Sequence, residues 1–145
     1  MKLHILSDLH LSVYDMSPPR TDADVVILAG DIARPVEAIA WILAFTDKPV
    51  VYVPGNHEFY GHRWEQVRQD LQTQCVGTPI RFLDNSRFDL GDVRFLGATL
   101  WTDFSQSIIG VDRSMRCARA RLADFGAIQT QTGLFTPEQS MKDHA

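Results

Sequence analysis

Three short apolar runs, each closing on a cluster of polar residues, constrain this chain more than anything else in it. Leu3–Leu6 runs into Ser7-Asp8-Leu9-His10, Val25–Ala29 into Gly30-Asp31, and Val50–Val53 into Pro54-Gly55-Asn56-His57-Glu58. Short continuous apolar runs bounded by turn residues suit strands buried on both faces of a parallel sheet. Between the second and third lies Pro35–Asp47, where Val36, Ile39, Ala40 and Leu43 recur at helical spacing and Pro35 suits the first turn. The segment reads as a β-α-β unit. A second helix is expected over 62–74, with Trp64, Val67, Leu71 and Cys75 on one face.

The pattern then changes. Ile80–Leu83, Arg87–Leu90 and Val93–Leu100 read as strands, the last two joined at Gly91-Asp92. A helix is expected over 111–125, with Val111, Met115, Ala118 and Leu122 on one face. Another starts at Thr136, where Thr136 as N-cap, Pro137 in the first position and Gln139 form a capping box. No repeat or linker divides the 145 residues, which read as a single α/β domain.

In open α/β sheets, sites form beyond the carboxyl ends of the parallel strands. The polar clusters of all three loops therefore converge on one crevice, where carboxylate, imidazole and amide oxygen are ligands for a divalent cation. Each piece alone is weak: Asp after a strand is ordinarily a turn or cap, and Gly-Asn is a turn signal. Their order at three successive strand ends is specific.

Asp-x-His, then Gly-Asp, then Gly-Asn-His-Glu, each closing a strand, resembles the calcineurin-like metallophosphoesterases. The resemblance covers residues 3 to 58, and Phe95–Phe104 also resembles a bacterial subgroup of small phosphoesterases. It implies a fold of two mixed sheets packed face to face with helices outside, a four-layer α-β-β-α sandwich of which this is the N-terminal portion. It implies two divalent metal ions (manganese, iron, zinc or cobalt) and hydrolysis of a phosphate monoester or diester by a hydroxide held between them. Asp8 and His10 would bind the first ion, Asp31 would bridge both, and Asn56 would bind the second. His57 would act as general acid or stabilise charge near the phosphate. Two cations roughly 3.5–4 Å apart need a shared anionic ligand. Glu58 is expected to hydrogen-bond a ligand or His57, or else to sit on the surface; Tyr60 is a possible substrate contact. Trp101 and Asp103 either border the crevice or serve packing and capping.

The family pattern continues with a later histidine and a Gly-His-x-His pair, and neither occurs in these residues. The chain is therefore expected to be partial, to hold the second metal weakly, and to expose sheet surface that later strands cover. The competing reading is a non-catalytic chain that binds metal weakly or offers only a partner surface.

A net charge of −4 gives no footprint for gripping nucleic acid. The one basic cluster, Arg113, Arg116, Arg119 and Arg121, reads as a solvated helix face. No run approaches the roughly 18 apolar residues of a membrane span, and Asp8 and His10 interrupt the N-terminus too early for a signal peptide. Cys75 and Cys117 read as buried free thiols in a reducing cytoplasm. His4 is expected packed, His62 exposed, and His144 without a role. The substrate and oligomeric state are left open.

Overall fold

The computed structural model describes residues 1–17 and 19–144, which form two compact units. The first comprises Met1–Glu58 and Val67–Thr99, and the second comprises Phe59–Gln66 and Leu100–Ala145.

The first unit is built on a parallel sheet in which β1 (Leu3–Leu6), β2 (Val25–Ala29), β3 (Val50–Val53) and β4 (Ile80–Phe82) lie side by side in chain order. Register pairs Leu6 with Leu28 and Ala29 with Val53, so the strands end together. The crossovers carry α1 (Pro35–Phe45) and α2 (Trp64–Gln74). The antiparallel hairpin β5 (Ser86–Leu90) and β6 (Val93–Gly97), turning at Gly91-Asp92 as expected, supplies Phe95 to a core with Val25, Val51 and Leu83. On the opposite side chains of the same strands, Val26, Leu28, Val50 and Tyr52 are fully buried.

β2 and β3 are thus buried on both faces, but β1 is not. As an edge strand it leaves Leu3 and Ile5 in solvent, Ile5 by 63%. They share a face with their register partners Val25 and Ile27, so apolar sheet surface continues uncovered onto β1. The buried face of α1 also differs from expectation: Pro35, Ala38, Ile39 and Ile42 point inward, while Val36 and Leu43 are exposed. The helix, PVEAIAWILAF, has a single charged residue, so apolar periodicity carries little phase information. α2 buries Val67 and Leu71 as its spacing predicts, and Cys75 follows them inward.

The second unit gathers around Phe135, whose ring centroid lies 4.7 Å from Trp101 and 6.0 Å from both Trp64 and Phe125. The helix expected over 111–125 divides into α3 (Val111–Arg121) and α4 (Asp124–Ala127), because Leu122 is extended (φ −88°, ψ 133°). The break lets Phe125 stack on Phe135, a tertiary gain that outweighs continuing the helix. A two-residue ladder, β7 (Gln129–Thr130) with β8 (Gly133–Leu134), precedes α5 (Pro137–His144).

The capping box forms as expected: Thr136 N–H donates to Gln139 Oε1 at 2.9 Å, and Gln139 N–H to Thr136 Oγ1 at 3.2 Å. His144 does have a role, its Nδ1 lying 2.6 Å from Trp101 O at the end of α5. The arginines of α3 are exposed, and Arg119 grips both carboxylate oxygens of Glu138. Cys117 is exposed on the same helix, contrary to expectation, and Cys75 is buried. Burial pushes the Cys75 thiol up to about 11. Among the described residues, no helix is long and apolar enough to cross a membrane.

Candidate metal centre

The three strand-end loops of the first unit are stitched together by their backbones. Asp8 N–H donates to Gly30 O at 3.0 Å and His10 N–H to Asp31 O at 2.9 Å, joining the loop after β1 to the loop after β2. His57 N–H donates to Asp31 Oδ1 at 3.0 Å, joining the loop after β3 to the same residue. Asp31 is therefore the residue on which the three loops meet.

Those contacts require unusual backbone. Asp8 (φ 55°), His10 (φ 48°) and Asp31 (φ 56°) adopt the left-handed conformation, shared among described non-glycine residues only with Asn85 and Phe104. Left-handed residues cost on the order of 1 kcal/mol each and persist where surrounding contacts hold them; they gather at functional sites. Here three fall within one loop cluster.

The result is a donor set. One ligand atom each from His10, Asp31 and His57 lies within 4.8 Å of the others, and the His10 and His57 ring centroids are 4.6 Å apart. Donors around one cation at roughly 2.1 Å lie at most about 4 Å apart, so small rotations bring His10 and Asp31 onto a shared ion with the His57 imidazole beside it. Imidazole and carboxylate suit a first-row divalent metal rather than a soft one. Asn56, half-buried, sits in the chain immediately before His57. Asp8, exposed at the end of β1, lies outside the close-set trio.

Glu58 is not on the surface; it hydrogen-bonds the candidate ligand Asp31, as one of the two expectations had it, and does so through the Asp31 backbone N–H. It is fully buried and accepts four hydrogen bonds: Asp31 N–H at 3.0 Å, Ile32 N–H at 2.7 Å, Gly55 N–H at 2.7 Å and Tyr52 O–H at 3.0 Å. It clamps the loops after β2 and β3 by their backbones and so fixes where the Asp31 carboxylate points. Burial pushes its carboxyl above the ordinary range, while the donors from Ile32 and Gly55 act the other way. Burial, with the Glu58 charge adding to it, pushes the Tyr52 hydroxyl well up, which keeps it a donor. A glutamate beside a histidine motif carries no sequence signal for this role, which needs backbone N–H groups to converge from residues 27 positions away.

Gly55 is as closely tied to Asp31. A methyl group in its place would sit 2.1 Å from Asp31 Oδ1 and 2.7 Å from Asp31 N. Gly55→Ala must therefore push the carboxylate out of the donor set. Displacing an orienting contact typically costs ten- to hundredfold in metal affinity. We expect a manganese affinity lower by about that factor, read by titration calorimetry; unchanged affinity would show that the Asp31 position is immaterial.

Tyr60 and Asp103, by contrast, are engaged within the second unit. The Tyr60 hydroxyl donates to Asp124. Asp103 Oδ1 accepts Ser105 N–H at 2.9 Å, a turn contact that holds its carboxyl below the usual range. Trp101 is core.

A parallel α/β sheet whose strand ends gather imidazole and carboxylate donors defines a candidate metal-binding α/β protein. Comparison with known proteins makes the class specific. Residues 1–104 match the calcineurin-like phosphoesterase family, and the chain belongs to it. That family acts on phosphate esters and usually binds divalent metals. The chain is also 30% identical over 129 residues to an uncharacterized protein of Acanthamoeba polyphaga mimivirus, a match covering 72% of this chain and 46% of that one. The chain thus spans about half the length of the curated relative it matches.

Proposed function

We propose that this chain carries the metal site of a hydrolase acting on phosphate monoesters or diesters, with two divalent ions. The observation that carries the reading is the meeting of His10, Asp31 and His57 donors at the ends of three adjacent strands. Asp8 and His10 would hold one ion, Asn56 the other, and Asp31 would ligate both. When bound, the ions supply Lewis-acid charge to phosphate oxygens and lower the pKa of water.

The chain's own residues do the rest. The Glu58 clamp and the close approach of Gly55 orient the Asp31 carboxylate. His57, exposed and with its backbone N–H tied to Asp31, presents an imidazole that donates a proton to the leaving oxygen. Histidine suits that task because its ordinary pKa lies nearest neutrality. The exposed free thiol of Cys117 favours a reducing, cytoplasmic setting.

The test is hydrolysis of bis(p-nitrophenyl) phosphate with added manganese and after chelation. Turnover that requires manganese and disappears with chelator is expected. No turnover at any manganese concentration would instead favour a non-catalytic chain.

A further inference from the structure

The loop that carries His10 continues as a short segment held along its whole length. Leu11 N–H donates to Ile32 O at 2.8 Å, and the N–H groups of Val13 and Tyr14 both donate to His10 O, at 2.8 and 3.0 Å. Ser12 Oγ accepts Arg34 N–H at 2.9 Å and donates to Glu37. Trp41 Nε1–H reaches Met16 O at 3.2 Å. His10–Met16 is thereby fastened to the end of β2 and to α1.

This fixed backbone half-buries Leu11 and Met16 but leaves Val13 and Tyr14 in water, Val13 75% and Tyr14 67% exposed. Ordering a loop costs conformational entropy, and an aromatic ring left in solvent returns little of it to folding. A single exposed apolar residue is unremarkable. This pair differs in its position, one turn beyond a donor of the metal centre and bonded to that donor's own carbonyl. An aromatic side chain carried on backbone fixed there loses less further entropy on stacking against a ligand than one on an unfastened loop.

We propose that Tyr14, flanked by Val13, is the specificity-determining contact of the site. It takes by stacking a planar aromatic group carried on the phosphate, either a nucleobase or a simple aryl ring. The proposal rests on the phosphoesterase reading and names its substrate class.

Steady-state kinetics of the protein, of Tyr14→Ala and of Tyr14→Phe test it on three manganese-supported substrates: a nucleoside monophosphate, p-nitrophenyl phosphate and glycerol phosphate. Comparing each variant with the parent on the same substrate removes differences in leaving-group reactivity. For Tyr14→Ala we expect KM to rise about tenfold on the ring-bearing esters, the scale of one lost stacking contact, with kcat little changed and glycerol phosphate unaffected. Tyr14→Phe keeps the ring and restores KM. A rise confined to the nucleotide identifies a nucleobase; a rise on both ring-bearing esters identifies any aryl group. Equal effects on all three substrates, or none, overturn the proposal. If the parent protein hydrolyses bis(p-nitrophenyl) phosphate but none of these monoesters, the same comparison is read on the corresponding diesters; if it hydrolyses neither, the phosphoesterase reading itself fails, and this one with it.

Discussion

Replacing Asp31 with asparagine should lower manganese-dependent phosphodiester hydrolysis about a thousandfold, a loss of roughly 4 kcal/mol in transition-state stabilisation, while leaving the protein folded. Asparagine is nearly isosteric, keeps an Oδ1 acceptor for the His57 N–H, and tolerates the left-handed backbone at φ 56°. The negative charge disappears, and an NH2 replaces the second carboxylate oxygen. In the proposed two-ion site the neighbouring cations would repel each other, and the shared carboxylate would offset that repulsion. Without it, both ions would bind poorly. Metal titration and turnover should fall together, while the circular dichroism spectrum and unfolding midpoint stay near those of the parent. A variant retaining most of its activity would remove Asp31 from the site.

The second large effect is on stability. Glu58→Ala deletes the common acceptor of the Asp31, Ile32 and Gly55 N–H groups and of the Tyr52 hydroxyl. A buried donor left without a partner costs roughly 1–3 kcal/mol, and water entering the vacated space recovers part of it. A net loss of about 4 kcal/mol is expected in denaturant unfolding. Glu58→Gln should lose less. Its amide oxygen still serves one pair of donors, Ile32 with Tyr52 or Asp31 with Gly55, but its NH2 then faces the other pair. Both variants should also bind manganese more weakly, because the clamp sets the direction of Asp31. Stability of the alanine variant within 1 kcal/mol of the parent would show that these hydrogen bonds are dispensable.

Much of this was legible in the residues. The strands β1 to β4, their helical crossovers, the hairpin at Gly91-Asp92 and the Thr136 capping box follow from local rules of pattern and turn chemistry. So did the meeting of the loops that carry His10, Asp31 and His57, because parallel strands in register must end together. What escaped depends on partners distant in the chain. The inward face of α1 could not be phased in a helix that is apolar nearly all round. Exposed apolar sheet surface was expected, but that it falls on β1 follows from the strand's place at the sheet edge, which Leu3 and Ile5 do not announce. The interruption at Leu122 answers to Phe135, and the burial of Glu58 to backbone donors from two loops.

The left-handed turns at Asp8, His10 and Asp31 also bear on which substitutions these positions could accept. Aspartate, asparagine and histidine are the side chains that best tolerate such a backbone apart from glycine, and they are also the ones that offer oxygen or nitrogen to a cation. Two separate demands thus narrow the alphabet to the same few letters. A β-branched or bulky replacement would fail on torsion before ligation was ever at issue, and glycine, which meets the torsion, would bring no donor. Variation at these sites should therefore be confined to exchanges within that small set.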